Sequence, residues 1–112
     1  MGLGASGPLV AAARAQARGA VDRAVVDTRG FRFGKLLDFH DPSFLPGGAK
    51  YGDLPGFLSL SAPDKLWLAG EAETPKLVSA AYQAAGASNN LTTFSGKPEE
   101  TNAAAVKWLL AK

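Results

Sequence analysis

The segment DFHDPS at residues 38–43 brings together the residue types of a nucleophilic acid–base site. His40 is the only histidine of the chain, and an imidazole can accept and donate a proton near neutral pH. Either neighbouring carboxylate, Asp38 or Asp41, could orient the imidazole, and Ser43 could act as the nucleophile. This spacing is not a recognised catalytic signature. A loop histidine held by hydrogen bonds to its neighbours is therefore the simpler interpretation.

The turn GLGASG at residues 2–7 supplies a second candidate nucleophile, Ser6. The backbone N–H groups of this turn precede an alanine-rich helical segment, where they could act as oxyanion donors. A serine before Gly-Pro is also typical of a helix N-cap, and that is the simpler interpretation of Ser6.

Helical and extended segments alternate along the chain. Pro8 and Pro75 suit a first helical turn, Thr74 is a candidate N-cap, and Gly19 and Gly86 are typical helix stops. Apolar and β-branched runs between these segments are typical of strands. We predict helices over 7–18, 74–87 and 97–112, strands over 20–28, 64–71 and 89–96, and an irregular stretch over 29–63 with one short helix within GDLPGFLSLS.

This alternation favours the α/β class, because parallel strands need a crossover element between them. We predict a single domain over residues 1–112, with about three mainly parallel strands covered by helices. No strand is evident before the helix at 7–18, so one edge of the sheet is left open for pairing. We therefore expect a homodimer or higher oligomer that completes the layer.

The order turn–helix–strand–long loop–strand–helix–strand–helix resembles the C-terminal half of the α/β-hydrolase fold. The stretches that resemble it are GLGASGPLVAAARA, DTRGFRF, FLPGGAKYGDLPGFLSLSAPDKLWLAGE and AAAVKWLL. Together they cover nearly the whole chain and are similar to the acetyl-xylan-esterase and dienelactone-hydrolase-like branch. In that family the first turn would read Gly-x-Ser-x-Gly.

The resemblance places Gly4 where the nucleophilic serine belongs. It places Met1 where the preceding strand would end, so we expect the reading frame to start inside a larger gene or to be a natural remnant of one. The family's nucleophile therefore has no counterpart here.

The resemblance also places Glu71 at the position of the family's acid, after the strand DKLWLAGE. The family's histidine follows the last strand, but FSGKPEETN contains none. A rebuilt site would then use His40 as the base, with Glu71 as an alternative to the aspartates beside it.

Aromatic residues are unusually frequent in the long irregular stretch. They are too many for a solvated loop, so they either fold over the sheet or line a hydrophobic acyl pocket. Trp67 and Trp108 are most simply core residues. The aromatic residues of the loop are Phe31, Phe33, Phe39, Phe44, Tyr51 and Phe57.

Composition excludes several function classes. The net charge of +2 comes from scattered basic residues, so we expect no nucleic-acid partner. The chain has no cysteine and one histidine, so we expect no metal and no cofactor. It carries neither a signal peptide nor a run of about 20 apolar residues, so we expect no membrane partner and a cytoplasmic location as expressed.

Two hypotheses follow. The first is a minimal carboxylic-ester hydrolase that acts on small or aromatic esters through a non-standard site around His40. The second is a non-catalytic hydrolase-like remnant that dimerises and binds an apolar ligand. The missing serine and terminal histidine favour the second. Two points narrowly favour the first hypothesis. Activated esters have a low intrinsic barrier to hydrolysis, and an oxyanion pocket alone enhances the rate.

Overall fold

The computed structural model describes residues 1–17, 20–38, 40–42, 44–45 and 47–111, with the main chain alone at Tyr51. It contains four α-helices and three β-strands, joined by short 3₁₀ turns. The helices are α1 (Gly7–Ala17), α2 (Asp53–Ser59), α3 (Lys76–Ala84) and α4 (Thr101–Leu110), and the strands are β1 (Arg23–Asp27), β2 (Lys65–Ala69) and β3 (Leu91–Thr93).

The three strands form one sheet in the order β1-β2-β3, and both pairings are parallel. Val25 lies opposite Trp67, and Leu66 lies opposite Leu91. Each crossover contains a helix, as parallel neighbours require. The predicted α/β layer with three parallel strands is therefore confirmed.

The two faces of the sheet bury different residues, because successive side chains of a strand point to opposite sides. Helices α1, α2 and α3 share one core cluster with the first face, and α4 shares a second cluster with the other face. The first face presents Ala24, Val26, Leu66 and Leu68, and the second presents Val25, Trp67 and Ala69. Trp67 is a core residue as predicted, and Trp108 of α4 packs against the second cluster while partly buried.

Helix α1 begins at Gly7 as predicted, whereas α3 and α4 begin later than the sequence predicts. Pro75 has an extended ψ of 133° and stands at the N-cap position, so α3 starts after it and Thr74 is not the cap. Residues Pro98–Glu100 form a 3₁₀ turn before α4 starts. Gly86, with φ of 67°, follows the end of α3 and acts as the predicted stop.

The strands are also shorter than predicted. β3 in particular covers three residues, because Ser88–Asn90 form a 3₁₀ turn instead of extended backbone. The side-chain amide of Asn90 donates a hydrogen bond of 2.8 Å to the carbonyl of Pro63. This bond holds the turn against the segment that leads into β2.

The long stretch between β1 and β2 contains α2, as predicted, and an aromatic cluster. The ring of Phe33 contacts Phe31 edge to face at 5.0 Å and Phe57 at 5.7 Å. Phe33 is buried, whereas Phe44 is exposed. Phe39 lies outside the described residues, as does the side chain of Tyr51. Three of the loop aromatics therefore fold over the sheet.

Extended backbone does precede the first turn, although no strand is evident there from the sequence. Gly2 forms an isolated parallel bridge with Val26. Its N–H donates to the carbonyl of Val25 at 2.7 Å, and its carbonyl accepts from Asp27 N–H at 2.8 Å. Gly2 therefore lies along the edge of β1 that β2 does not occupy.

Candidate functional site

Polar residues follow all three strands at their carboxyl ends. Asp27, Thr28 and Arg29 end β1 and start the next loop, Glu71 follows β2, and Ser95 follows β3. The carboxyl ends of parallel strands meet at one edge of a sheet, which is where open α/β sheets bind ligands. This carboxyl edge is therefore the candidate functional site.

Glu71 is held at this edge by two partners. Arg32 donates to both carboxylate oxygens at 2.9 Å, and the hydroxyl of Thr28 donates to Oε1 at 2.7 Å. The side chain of Glu71 is only 10% exposed. Hydrogen bonding to Glu71 raises the pKa of Arg32 above its ordinary value, and burial opposes this shift. The carboxylate that the resemblance assigns as the acid thus binds a guanidinium and a hydroxyl.

His40 lies in an exposed loop beside Asp38. Its Nδ1 is 3.3 Å from Oδ1 of Asp38, and its backbone N–H donates to the same oxygen at 2.9 Å. The backbone N–H of Asp41 donates to the carbonyl of Asp38 at 3.1 Å. Ser43 lies outside the described residues. The structure therefore brings the imidazole together with Asp38, a predicted orienting carboxylate.

Ser6 lies in the 3₁₀ turn that precedes α1. Its hydroxyl donates to the carbonyl of Leu3 at 2.8 Å, which closes the turn. Within the described residues, the hydroxyl makes no hydrogen bond to an N–H group of α1, so it does not cap the helix. The described contacts of Ser6, His40 and Glu71 share no partner, so their joint action stays a prediction.

Gly4 is the first residue of the same turn, with φ of 59°. A Cβ at Gly4 would lie 3.2 Å from Cζ of Arg29. After the turn, a Cβ at Gly7 would overlap the carbonyl oxygen of Asp27. Helix α1 therefore starts directly against the end of β1. The position that the resemblance assigns to the nucleophile is therefore at the carboxyl edge, but it has no side chain.

The polar residues that organise this edge were not predicted as site residues. Asp27 and Arg29 define the turn after β1, and Thr28 and Arg32 bind Glu71. The signal was present in VVDTRGFR, where four charged or hydroxyl residues lie at and just after the end of a buried strand. Open α/β sheets bind ligands at the carboxyl ends of their strands, and this rule would have identified these four residues as site candidates.

Two cavities open at the carboxyl edge. One, of about 390 Å³, is lined by residues from all three strand ends and from the start of α4. The other, of about 210 Å³, is lined by Glu71 and by residues that follow β2 and β3. Phe94 lines both cavities, and its ring stacks on Trp67 at 5.2 Å.

A third cavity of about 310 Å³ lies between α2, α3 and the loop before α2, away from the strand ends. Phe57, Leu60 and Leu77 supply its apolar lining. Leu60 and Leu77 are 65% and 46% exposed. Lys50 and Asp53 are the charged residues in the lining. We call this space the α2–α3 cavity.

Other features bear on cofactors and membranes. Among the described residues, no three or more His, Cys, Asp or Glu side chains are grouped closely enough to hold a metal ion. Within the same residues, no helix combines the length and the hydropathy needed to cross a bilayer. Comparison with protein-family models, curated proteins and solved structures found no match to this chain.

Proposed function

We propose that this chain is a non-catalytic, hydrolase-like domain that binds a small apolar molecule in the α2–α3 cavity. The observation that supports this function is the cavity itself, which exposes Leu60 and Leu77 around a volume of about 310 Å³. That volume is at the small end of ligand pockets, so it suits a small aromatic or short aliphatic molecule.

The relation to the α/β-hydrolase fold is part of this proposal. The element order that motivated the resemblance is the order of the helices and strands in the structure. The absence of a side chain at Gly4 and the binding of Glu71 by Arg32 both favour binding over turnover. An acid already bound by a guanidinium is poorly placed to orient an imidazole.

Ethyl benzoate tests the binding function, because it is neutral, apolar and small. In a titration followed by amide chemical shifts, we expect saturable shifts at Gly56, Leu60 and Leu77 without formation of benzoate. Leu60→Ser and Leu77→Ser should each weaken binding by about tenfold, because each removes apolar contact area. Leu37→Ser is the matched control, since Leu37 is fully exposed and lines none of the cavities described above.

Equal weakening by all three substitutions would contradict the proposal, because it would indicate non-specific adsorption to exposed leucines. Shifts confined to the carboxyl edge would also contradict it.

Self-association is a second part of the proposal. Gly2 occupies one bridge position on the free edge of β1, and Met1 and Leu9 nearby in the chain are exposed. Pairing between copies would cover unpaired backbone groups of this edge. Light scattering at micromolar concentration should therefore give twice the monomer mass of 11.6 kDa or more. A stable monomer would contradict this part alone.

Hydrolysis of small carboxylic esters is a second candidate function, and the pair formed by His40 and Asp38 favours it. In this case His40 acts as the general base, which typically contributes about 10²–10⁴-fold to the rate. His40→Ala should lower the hydrolysis of a short-chain activated ester by about two orders of magnitude or more. Glu71→Gln should cause a smaller loss, and Gly4→Ser should give little gain.

Full activity in His40→Ala would exclude the histidine mechanism. The binding function would then stand alone.

A further inference from the structure

The cavity of about 390 Å³ at the carboxyl edge is built from a charged turn, an aromatic wall and the start of a helix. Asp27 ends β1 and lines it together with Arg29, Gly70 follows β2, Phe94 follows β3, and α4 contributes Thr101 and Asn102. The ring of Phe94 stacks on the ring of Trp67, which holds it in place. The cavity thus combines a flat apolar surface with a cationic side chain.

The backbone of Arg29 is held in a conformation that disfavours a side chain. Its φ is 49°, in the left-handed region. Asp27 Oδ1 accepts the N–H of Arg29 at 3.2 Å, and a Cβ at Gly70 would overlap the same nitrogen. A glycine at position 29 would adopt this conformation without strain. Strained residues of this kind concentrate at ligand-binding sites.

The guanidinium of Arg29 is available to a ligand. Its side chain is 73% exposed, and its ion pair with Asp27 is made through Nε at the long distance of 3.8 Å. Within the described part of the chain, the guanidinium makes no hydrogen bond. Its Cζ and Nη2 would both lie 3.2 Å from a Cβ on Gly4, so the donor fork lies over a position that has no side chain.

We propose that this cavity binds a small aromatic or aliphatic carboxylate, with Arg29 binding the carboxylate and Phe94 contacting the hydrocarbon part. A guanidinium binds a carboxylate through two parallel hydrogen bonds, which suits the free donor fork. Asp27 opposes the binding of an anion, but its carboxylate faces Nε of Arg29 and accepts the Arg29 backbone N–H, so the Nη donors are left for the ligand. This site is separate from the α2–α3 cavity, so the two proposals are tested independently.

Benzoate and its neutral isostere benzamide distinguish carboxylate recognition from general apolar binding. In amide chemical-shift titrations, benzoate should give saturable shifts at Arg29, Gly70 and Gly96. Benzamide should bind at least about tenfold more weakly, because it cannot form the charge-assisted pair. Comparable affinity for the two molecules would overturn the proposal, as would a benzoate dissociation constant above about 10 mM.

Variants of Arg29 separate recognition from folding. Arg29→Gln and Arg29→Gly should each weaken benzoate binding by about tenfold, and Arg29→Lys should retain part of the affinity. Arg29→Gly also relieves the strained φ, so its thermal unfolding should occur at a temperature no lower than that of the parent protein. A loss of binding in this variant therefore reports on the guanidinium itself.

Lys76→Gln is the matched control, because Lys76 is an exposed residue of α3 that lines none of the cavities described above. It removes the same charge as Arg29→Gln and should leave benzoate affinity unchanged. An equal loss in both variants would attribute binding to net charge alone and overturn the proposal. Benzoate shifts confined to Leu60 and Leu77 would assign the molecule to the α2–α3 cavity and would also overturn it.

Discussion

Two pairs of this protein each join a carboxylate to a nitrogen-containing side chain, and they lie in opposite surroundings. Glu71 and Arg32 join two elements far apart in the sequence, with side chains that are 10% and 24% exposed. Asp38 and His40 are neighbours in one loop, with side chains that are 67% and 77% exposed. Burial makes the first pair part of the architecture, because removing either partner leaves a largely buried charge without its counterion. Exposure leaves the second pair in contact with solvent and accessible to small molecules.

The largest expected effect comes from breaking the buried pair. Glu71→Gln should lower the free energy of unfolding by about 3 kcal/mol or more, because Arg32 then remains as a largely buried cation without its carboxylate. Unfolding in urea would measure this loss. In the double variant Glu71→Gln/Arg32→Gln, the loss should be smaller than the sum of the two single losses. Strict additivity would show that the pair is not coupled and would remove the contrast between the two sites.

Tyr82 is another buried polar group, and its contribution to stability can be compared with that of the Glu71–Arg32 pair. Its hydroxyl donates to the carbonyl of Asp64 at 2.7 Å, and burial raises its pKa to about 12. Because the folded-state pKa lies above the unfolded value, the contribution of Tyr82 is complete below about pH 10. It decreases as pH rises through about 12.

Tyr82→Phe should therefore be less stable than the parent by about 1 kcal/mol near neutral pH, where it lacks the hydrogen bond. Above about pH 11 the order should reverse, because unfolding lets the parent's tyrosine ionise and the phenylalanine cannot. Urea unfolding of both proteins across this range would show whether the curves cross. Parallel curves would mean that Tyr82 ionises as readily in the folded protein as in the unfolded one.

The smallest expected effect is at the exposed pair. Asp38→Asn and His40→Ala should each change the free energy of unfolding by less than about 0.5 kcal/mol, because exposed ion pairs contribute little and are screened by salt. The same unfolding measurements used for the buried pair provide the direct contrast. A loss above about 1 kcal/mol at either residue would show that the loop is tied into the fold.

Much of the architecture could be predicted from local signals. The parallel sheet follows from alternating elements, and Trp67 could be placed in the core because it lies in a short apolar run. The ends of the elements were less predictable. Pro75 is typical of a first helical turn, but its observed ψ of 133° places it at the N-cap position instead.

The candidate site was predicted only in part. Glu71 could be placed at the carboxyl edge, because a residue that follows a strand must lie there. Its partners could not be assigned, since Arg32 and Thr28 are 39 and 43 residues away in the sequence. Any of several arginines could have met this carboxylate.

The sequence alone therefore determined the α/β class, the order of the elements and the absence of a serine at Gly4, because these depend on residue types and short-range periodicity. The tertiary structure decided which face each helix covers, which guanidinium binds Glu71, and that Arg29 lies over Gly4 beside a cavity. These features require residues distant in the chain to pack together in one geometry. Local sequence patterns do not specify which distant side chains contact one another.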